Sequence, residues 1–146
     1  MYLEDYFVGQ TFNIDSVKIT EEHILEHAKK YDPRPFHLDK SVAEKTRFKK
    51  LFASGLMTLN VCWGEWVKTK IDEKGVIAGI GMDNIRWLAP VFADDELHSI
   101  LTVSEITPSV KNPHGVVKFD MVSMNQNDEI VLTLTAIVLI AKNPSI

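Results

Sequence analysis

Residues 31 to 55 read YDPRPFHLDKSVAEKTRFKKLFASG, and they carry most of the chemistry that the sequence offers. An acid, Asp32, stands five residues before an imidazole, His37, with two prolines between them. Proline fixes its own φ and drives the preceding residue out of the α region, so the pattern predicts a stiff extended loop from Asp32 to His37. A stiff loop holds an acid and a base at a fixed separation, which general acid–base chemistry requires.

The same stretch ends with Ser54 and Gly55, immediately before a long apolar pattern. Serine is a favoured N-cap, so we expect a helix whose first turn contains Gly55 with its backbone N–H unpaired. Free N–H groups and the partial positive charge of a helix start can hold a developing oxyanion. The missing side chain also lets a ligand approach the backbone closely, although close packing alone is an alternative reason for a glycine.

Together these residues resemble the signature of the MaoC-like enoyl-CoA hydratases, also called (R)-specific hydratases. That signature runs Asp-x-Asn-Pro-x-His, followed after a short helix by Phe and then by an apolar-small-Gly element. The matching residues here are Asp32-Pro33-Arg34-Pro35-Phe36-His37, Phe48 and Phe52-Ala53-Ser54-Gly55. Arg34 replaces the usual Asn, while both catalytic groups are kept.

The resemblance implies a hot-dog fold, in which a sheet curls around a long central helix, and reversible hydration of a trans-2-enoyl-CoA thioester to a 3-hydroxyacyl-CoA. It implies that Asp32 and His37 share a water as the acid–base pair, and that the Gly55 amide holds the thioester oxygen. Similar single-domain proteins are dimers or larger, so we expect a homodimer or higher homo-oligomer. We expect neither a metal nor an organic cofactor.

The contacts to the rest of the substrate are also predicted from this stretch. Ser54 and Arg34 lie beside the expected catalytic groups. Lys49 and Lys50 belong to a small basic cluster with Arg47. The cluster is either a solvated loop or a contact for the phosphates of coenzyme A.

Two other functions fit the same sequence. Hot-dog proteins divide between hydration and thioester cleavage, so an acyl-CoA thioesterase is one alternative. The other is a non-catalytic subunit that binds an acyl thioester, which Arg34 in the place of Asn favours.

Composition narrows the class of protein. A chain of 146 residues predicts one domain, over residues 1–146, with a core of its own. The net charge of -4 gives no basic excess, so we expect no nucleic-acid partner. The single cysteine, Cys62, excludes an internal disulfide and is expected to be a core thiol. The N-terminus lacks a secretory pattern and the apolar run 130–141 is too short to span a bilayer as a helix, so we expect a cytoplasmic protein.

The apolar periodicity predicts an α+β protein with an antiparallel sheet and one buried helix. The predicted helices run from the cap Thr20 to Tyr31, from the cap Asp39 to about Thr46, and from Ser54 to about Lys70. The predicted strands are 11–19, 76–88, 96–106, 116–124 and 130–141. The long helix is apolar around most of its circumference and is therefore expected to be buried. If its Trp63 faces the site, the acyl pocket would suit short or compact chains.

Two smaller patterns are also informative. His23 and His27 have the i, i+4 spacing of metal ligands, but their charged neighbours and the lack of a third ligand favour a solvated helix face. Residues 90–95 match a Pro-Val-x-x-Gly-Asp turn of the resembled family, with Asp94 in the glycine position.

Overall fold

An antiparallel sheet of five strands forms the body of the protein in the computed structural model, which describes residues 1–146. The strands lie in the order β1-β3-β4-β5-β2, and every neighbouring pair is antiparallel. They are β1 Thr11–Lys18, β2 Val76–Trp87, β3 Glu96–Pro108, β4 His114–Met124 and β5 Ile130–Ala141. The helices are α1 Glu21–Tyr31, α2 Pro35–Leu38, α3 Lys40–Ala43 and α4 Gly55–Lys68, with a short 3₁₀ turn at Leu3–Asp5. The predicted α+β class is confirmed.

The core lies between α4 and one face of the sheet. Burial alternates along β4, whose inward side chains include Val117, Phe119 and Met121, as expected for a sheet with one covered face. Trp66 of α4 is fully buried, with its ring centroid 5.6 Å from that of Phe119 and 5.3 Å from that of Phe12 on β1. These contacts dock α4 on the sheet and so fix where its first turn lies.

The predicted burial of α4 holds for one side of the helix and not for the other. Met57, Cys62 and Trp66 face the sheet and are buried, whereas Leu56 is 47% exposed and Val67 is 52% exposed. A curled five-stranded sheet covers only one side of a helix of this length. The apolar pattern predicted the helix correctly, but it does not indicate which side of the helix the sheet covers.

Strand β2 lies at one edge of the sheet and pairs only with β5. The register shifts between Val76 and Ala78 and again between Gly79 and Gly81, as small residues within a strand often allow. Several of its apolar side chains, Ile77 and Ile80 among them, are exposed. None of the helices has both the length and the apolar character needed to cross a lipid bilayer.

Most predicted boundaries lie close to those observed. The helix capped by Asp39 is shorter than predicted, because it ends at Ala43 rather than near Thr46. The Thr46 hydroxyl donates to the Ala43 carbonyl at 2.7 Å, so a side chain takes a backbone acceptor that a longer helix would have used.

Candidate active site

Asp32 is placed by the end of α1. Thr20 caps the start of that helix by accepting from the His23 N–H at 3.2 Å, as predicted. Asp32 is the C-cap, and its N–H donates to the Ala28 carbonyl at 3.0 Å. Its φ of -153° and ψ of 69° lie outside the α region, as expected before a proline. The carboxylate is thereby fixed at the point where the chain leaves the helix.

His37 lies in a helical turn, so the prediction of an extended loop from Asp32 to His37 is wrong at its second half. Arg34 is extended, with φ -76° and ψ 139°, but Pro35 begins the single turn α2. Proline suits the first position of a helix, because its fixed φ is helical and the N–H that it lacks has no partner there. The turn carries His37 back toward Asp32.

The two side chains face each other. His37 Nε2 lies 3.5 Å from Asp32 Oδ2. His37 Nδ1 lies 2.7 Å from the Phe52 carbonyl oxygen, and since a carbonyl only accepts, Nδ1 donates its proton there. In the neutral ring Nε2 is then an acceptor that points at a carboxylate oxygen. His37 is buried, while the Asp32 side chain keeps 20% of its surface exposed.

Two aromatic rings pack against the imidazole. The His37 ring makes edge contacts with Phe36, at 4.6 Å between centroids, and with Phe52, at 4.8 Å. Phe36 and Phe52 are themselves stacked, with centroids 5.4 Å apart. These contacts, together with the Nδ1 hydrogen bond to the Phe52 carbonyl, restrict the rotation of the ring and keep Nε2 directed toward Asp32.

Ser54 joins the acid to the start of α4. Its hydroxyl donates to Asp32 Oδ2 at 2.7 Å and accepts from the Leu56 N–H at 3.3 Å, which confirms the predicted N-cap. The Gly55 N–H has no acceptor within the protein. The Trp87 indole covers the α carbon of Gly55 and donates from Nε1 to the Gly55 carbonyl at 2.7 Å.

Arg34 forms a hydrogen bond with the other carboxylate oxygen of Asp32. Its Nε donates to Asp32 Oδ1 at 3.1 Å, and most of its side chain is exposed. The carboxylate therefore has Arg34 on Oδ1, and Ser54 and His37 on Oδ2. The arginine supplies an orienting hydrogen bond at the position where the resembled family has asparagine.

These groups line one cleft of about 490 Å³. Asp32, His37, Ser54 and Gly55 all border it. The remaining lining residues are largely apolar: Arg47, Phe48, Phe52, Ala53, Leu56, Thr58, Trp87, Leu88, Ala89, Pro90 and Val91. Trp63 does not border the cleft, so the aromatic bulk near the site comes from Trp87 instead.

The structure places the three residues of the basic cluster at two different pockets. Arg47 borders the cleft and forms no ion pair. Lys49 and Lys50 border a neighbouring hollow of about 270 Å³, together with Glu21, Lys40 and Glu44. The Lys50 ammonium lies 4.1 Å from the centroid of the Phe92 ring.

Sequence reasoning missed Trp87 and the segment 88–91 that follows it. They reach the cleft because the Ala53 N–H donates to the Val91 carbonyl at 2.8 Å and Phe52 bridges to Phe92. These pairings join residues that are far apart in the chain, and local sequence patterns do not predict them. The only signal was the family-like turn that begins at Pro90.

Other titratable groups lie outside the cleft. His27 is buried with no partner for either ring nitrogen, and its pKa is lowered by burial and, to a lesser extent, by His23. Cys62 is buried as predicted, and burial raises the pKa of its thiol. No three His, Cys, Asp or Glu side chains are grouped as a metal site would require.

Known proteins resemble this chain in both sequence and fold. The family model described as MaoC like domain matches residues 6–125. The uncharacterized protein YdeM of Bacillus subtilis (strain 168) is 31% identical over 128 residues, which cover 88% of this chain and 90% of that protein. The crystal structure of a MaoC-like dehydratase from Rhodospirillum rubrum matches with a TM-score of 0.91 at 33% identity, over 99% of both chains.

More distant structures share the fold. The unliganded R-hydratase PhaJ1 from Pseudomonas aeruginosa matches with a TM-score of 0.73 at 24% identity, over 97% of this chain and 86% of that one. A Mycobacterium tuberculosis protein described as a double hot-dog fold matches with a TM-score of 0.83 at 18% identity, over 100% of this chain and 46% of that one. These matches confirm the hot-dog fold. The family model, together with the two relatives at 31% and 33% identity, shows that the chain belongs to the MaoC-like domain family.

Proposed function

We propose that the protein is a hydratase/dehydratase that reversibly adds water to the double bond of a trans-2-enoyl-CoA thioester, giving a 3-hydroxyacyl-CoA. Membership of the MaoC-like family supports hydratase/dehydratase chemistry in general. The observation that carries the specific proposal is the pair Asp32 and His37, whose Oδ2 and Nε2 face each other at 3.5 Å in one cleft.

The pair has the right polarity to hold a water. Both facing atoms are hydrogen-bond acceptors when His37 is neutral, so a water that donates one hydrogen to each satisfies them together. As the water oxygen bonds to C3 of the substrate, one of its protons passes to the pair. A proton from the pair then reaches C2. One O–H bond of the water and the π bond between C2 and C3 are broken, one C–O bond and one C–H bond are formed, and the pair returns to its starting protonation state.

The charge that develops during this addition needs a donor. Attack at C3 pushes electrons toward the thioester oxygen, which becomes enolate-like. The Gly55 N–H has no acceptor in the protein and lies in the first turn of α4, where the helix dipole is positive. We assign it to that oxygen. The Ser54 and Arg34 hydrogen bonds hold the Asp32 carboxylate at the same end of the cleft.

Coenzyme A supplies phosphates for the basic cluster to bind. Lys49 and Lys50 remain our assignment for this contact, although they border the adjoining hollow and not the cleft. Arg47, two residues before Lys49, borders the cleft and has no ion-pair partner. We therefore add Arg47 to the surface that binds the nucleotide part of the substrate.

The proposal is tested by hydration of crotonyl-CoA, followed through the loss of enoyl absorbance. We expect Asp32→Asn and His37→Ala each to lower kcat by about 10²–10⁴, because an acid–base partner is removed. Circular dichroism should show an unchanged fold. The matched controls are Asp128→Asn and His98→Ala, since these two side chains also face each other at 3.5 Å but do not border the cleft.

Three results would contradict the proposal. Retained hydration in both site variants would remove the two residues from the reaction. Release of free thiol from acyl-CoA would instead indicate a thioesterase. Tight binding of crotonyl-CoA to the unmodified protein, with no loss of absorbance, would indicate a non-catalytic subunit.

A further inference from the structure

Trp87 forms one side of the cleft. It is the last residue of β2, and the following residues 88–91 border the same cleft. Its side chain is 47% exposed. A tryptophan in this setting presents a large and rigid apolar surface to whatever enters the cleft.

Two contacts hold the indole in place on the first turn of α4. Its Nε1 donates to the Gly55 carbonyl at 2.7 Å. Its ring lies so close to the Gly55 α carbon that a Cβ added there would be 2.5 Å from the indole Cε2. One contact is directional and the other steric, so the ring cannot move aside without losing a hydrogen bond and its packing.

The indole also lies close to the acid–base pair. Gly55, which it covers, follows Ser54, and the Ser54 hydroxyl donates to Asp32. The cleft of about 490 Å³ lies in the lower half of the usual range of about 300–1,000 Å³ for ligand sites. A thioester placed at the Gly55 amide therefore lies beside a fixed aromatic wall in a cleft of modest size.

We propose that Trp87 is a specificity-determining residue that limits the acyl chain to short lengths. The inference rests on the proposed function for the class of substrate, but it concerns binding of the chain and not the chemical step. Each methylene that enters an apolar pocket raises affinity about fourfold, and the gain stops where the chain meets a wall that it cannot displace. The indole is that wall.

The first test measures dissociation constants of saturated acyl-CoAs, from butyryl- to dodecanoyl-CoA, by titration calorimetry. For the unmodified protein we expect affinity to stop rising after the short chains. Trp87→Ala should bind octanoyl-CoA about tenfold or more tighter than the unmodified protein does, while its affinity for butyryl-CoA changes less than about threefold. Trp63→Leu is the matched control, and its length profile should stay that of the unmodified protein because Trp63 does not border the cleft.

The second test uses the contact with Gly55. Gly55→Ala should lower the unfolding midpoint of the unmodified protein, because the added methyl group collides with the indole. In the Trp87→Ala protein the same change should raise the midpoint, because alanine is a better helix residue than glycine. A change of sign between the two backgrounds establishes the contact in solution without any assay of activity.

The outcomes separate this inference from the proposed function. An equal change in affinity at every chain length in Trp87→Ala, or affinity that already rises to dodecanoyl-CoA in the unmodified protein, would overturn the length limit. Saturated thioesters have no double bond to hydrate, so the expected shift in profile together with no hydration of any enoyl-CoA would remove only the proposed function. No binding of any acyl-CoA would overturn both.

Discussion

A single hydroxyl group, that of Ser54, connects the fold to the candidate chemistry. It donates to the Asp32 carboxylate and accepts from the Leu56 N–H, so one side chain both caps α4 and orients the acid. We expect Ser54→Ala to lower the free energy of unfolding by about 0.5–2 kcal/mol through the lost cap. We also expect it to lower kcat for crotonyl-CoA by about 10–10², with little change in KM, because the acid loses its orientation.

A second cap provides the control for that variant. Thr20 caps α1 in the same way, by accepting from the His23 N–H, but it forms no bond to Asp32. Thr20→Ala should therefore lose comparable stability, measured by urea unfolding, and keep its kcat. An activity loss of equal size in both variants would mean that Ser54 acts only through stability.

At the scale of elements, the sequence predicted what local signals determine. The caps Thr20, Asp39 and Ser54 each accept the expected backbone N–H groups. Asp94 has a φ of 71°, a left-handed conformation that accounts for glycine at this position in similar turns and that aspartate tolerates better than most residues.

Non-local contacts were not predictable in the same way. The proline at position 35 is compatible with both an extended loop and the start of a helical turn, and contacts with residues later in the chain, such as that of His37 with Phe52, favour the turn. Trp87 reaches the cleft because β2 pairs with β5, which begins more than forty residues later. Local periodicity contains no information on that pairing.

The loop after α3 carries the predicted phosphate contact. Replacing both Lys49 and Lys50 by glutamate should raise KM for crotonyl-CoA about tenfold and leave kcat unchanged, since exposed charge pairs each contribute up to about 1 kcal/mol. KM for crotonyl-pantetheine, which lacks the nucleotide phosphates, should not change. The control replaces the exposed Lys74 and Lys111 and gives the same change in net charge. An unchanged KM for crotonyl-CoA would contradict the assignment of Lys49 and Lys50 to the phosphates and leave only Arg47 of the cluster in that role.

At the scale of the whole molecule, the face formed by the outer edge of β2 is apolar. This edge has no partner strand, and its exposed residues include Val76, Ile77 and Ile80. The opposite edge strand, β1, carries Asp15 and Lys18, which discourage pairing. A long, apolar, open edge favours pairing with another strand, and a second copy of the same chain offers an identical one. We therefore propose a homodimer through this face.

Light scattering after size-exclusion chromatography tests the dimer. At micromolar concentration we expect twice the mass of one chain for the unmodified protein, and the mass of a single chain for Ile80→Glu, because a charge buried in an apolar interface has no partner. The control is Val110→Glu, which changes a fully exposed residue between β3 and β4 and should remain dimeric. Trp87 and Leu88, at the end of β2, border the cleft, so dissociation should also weaken crotonyl-CoA binding by Ile80→Glu. A monomeric unmodified protein would contradict the proposed dimer.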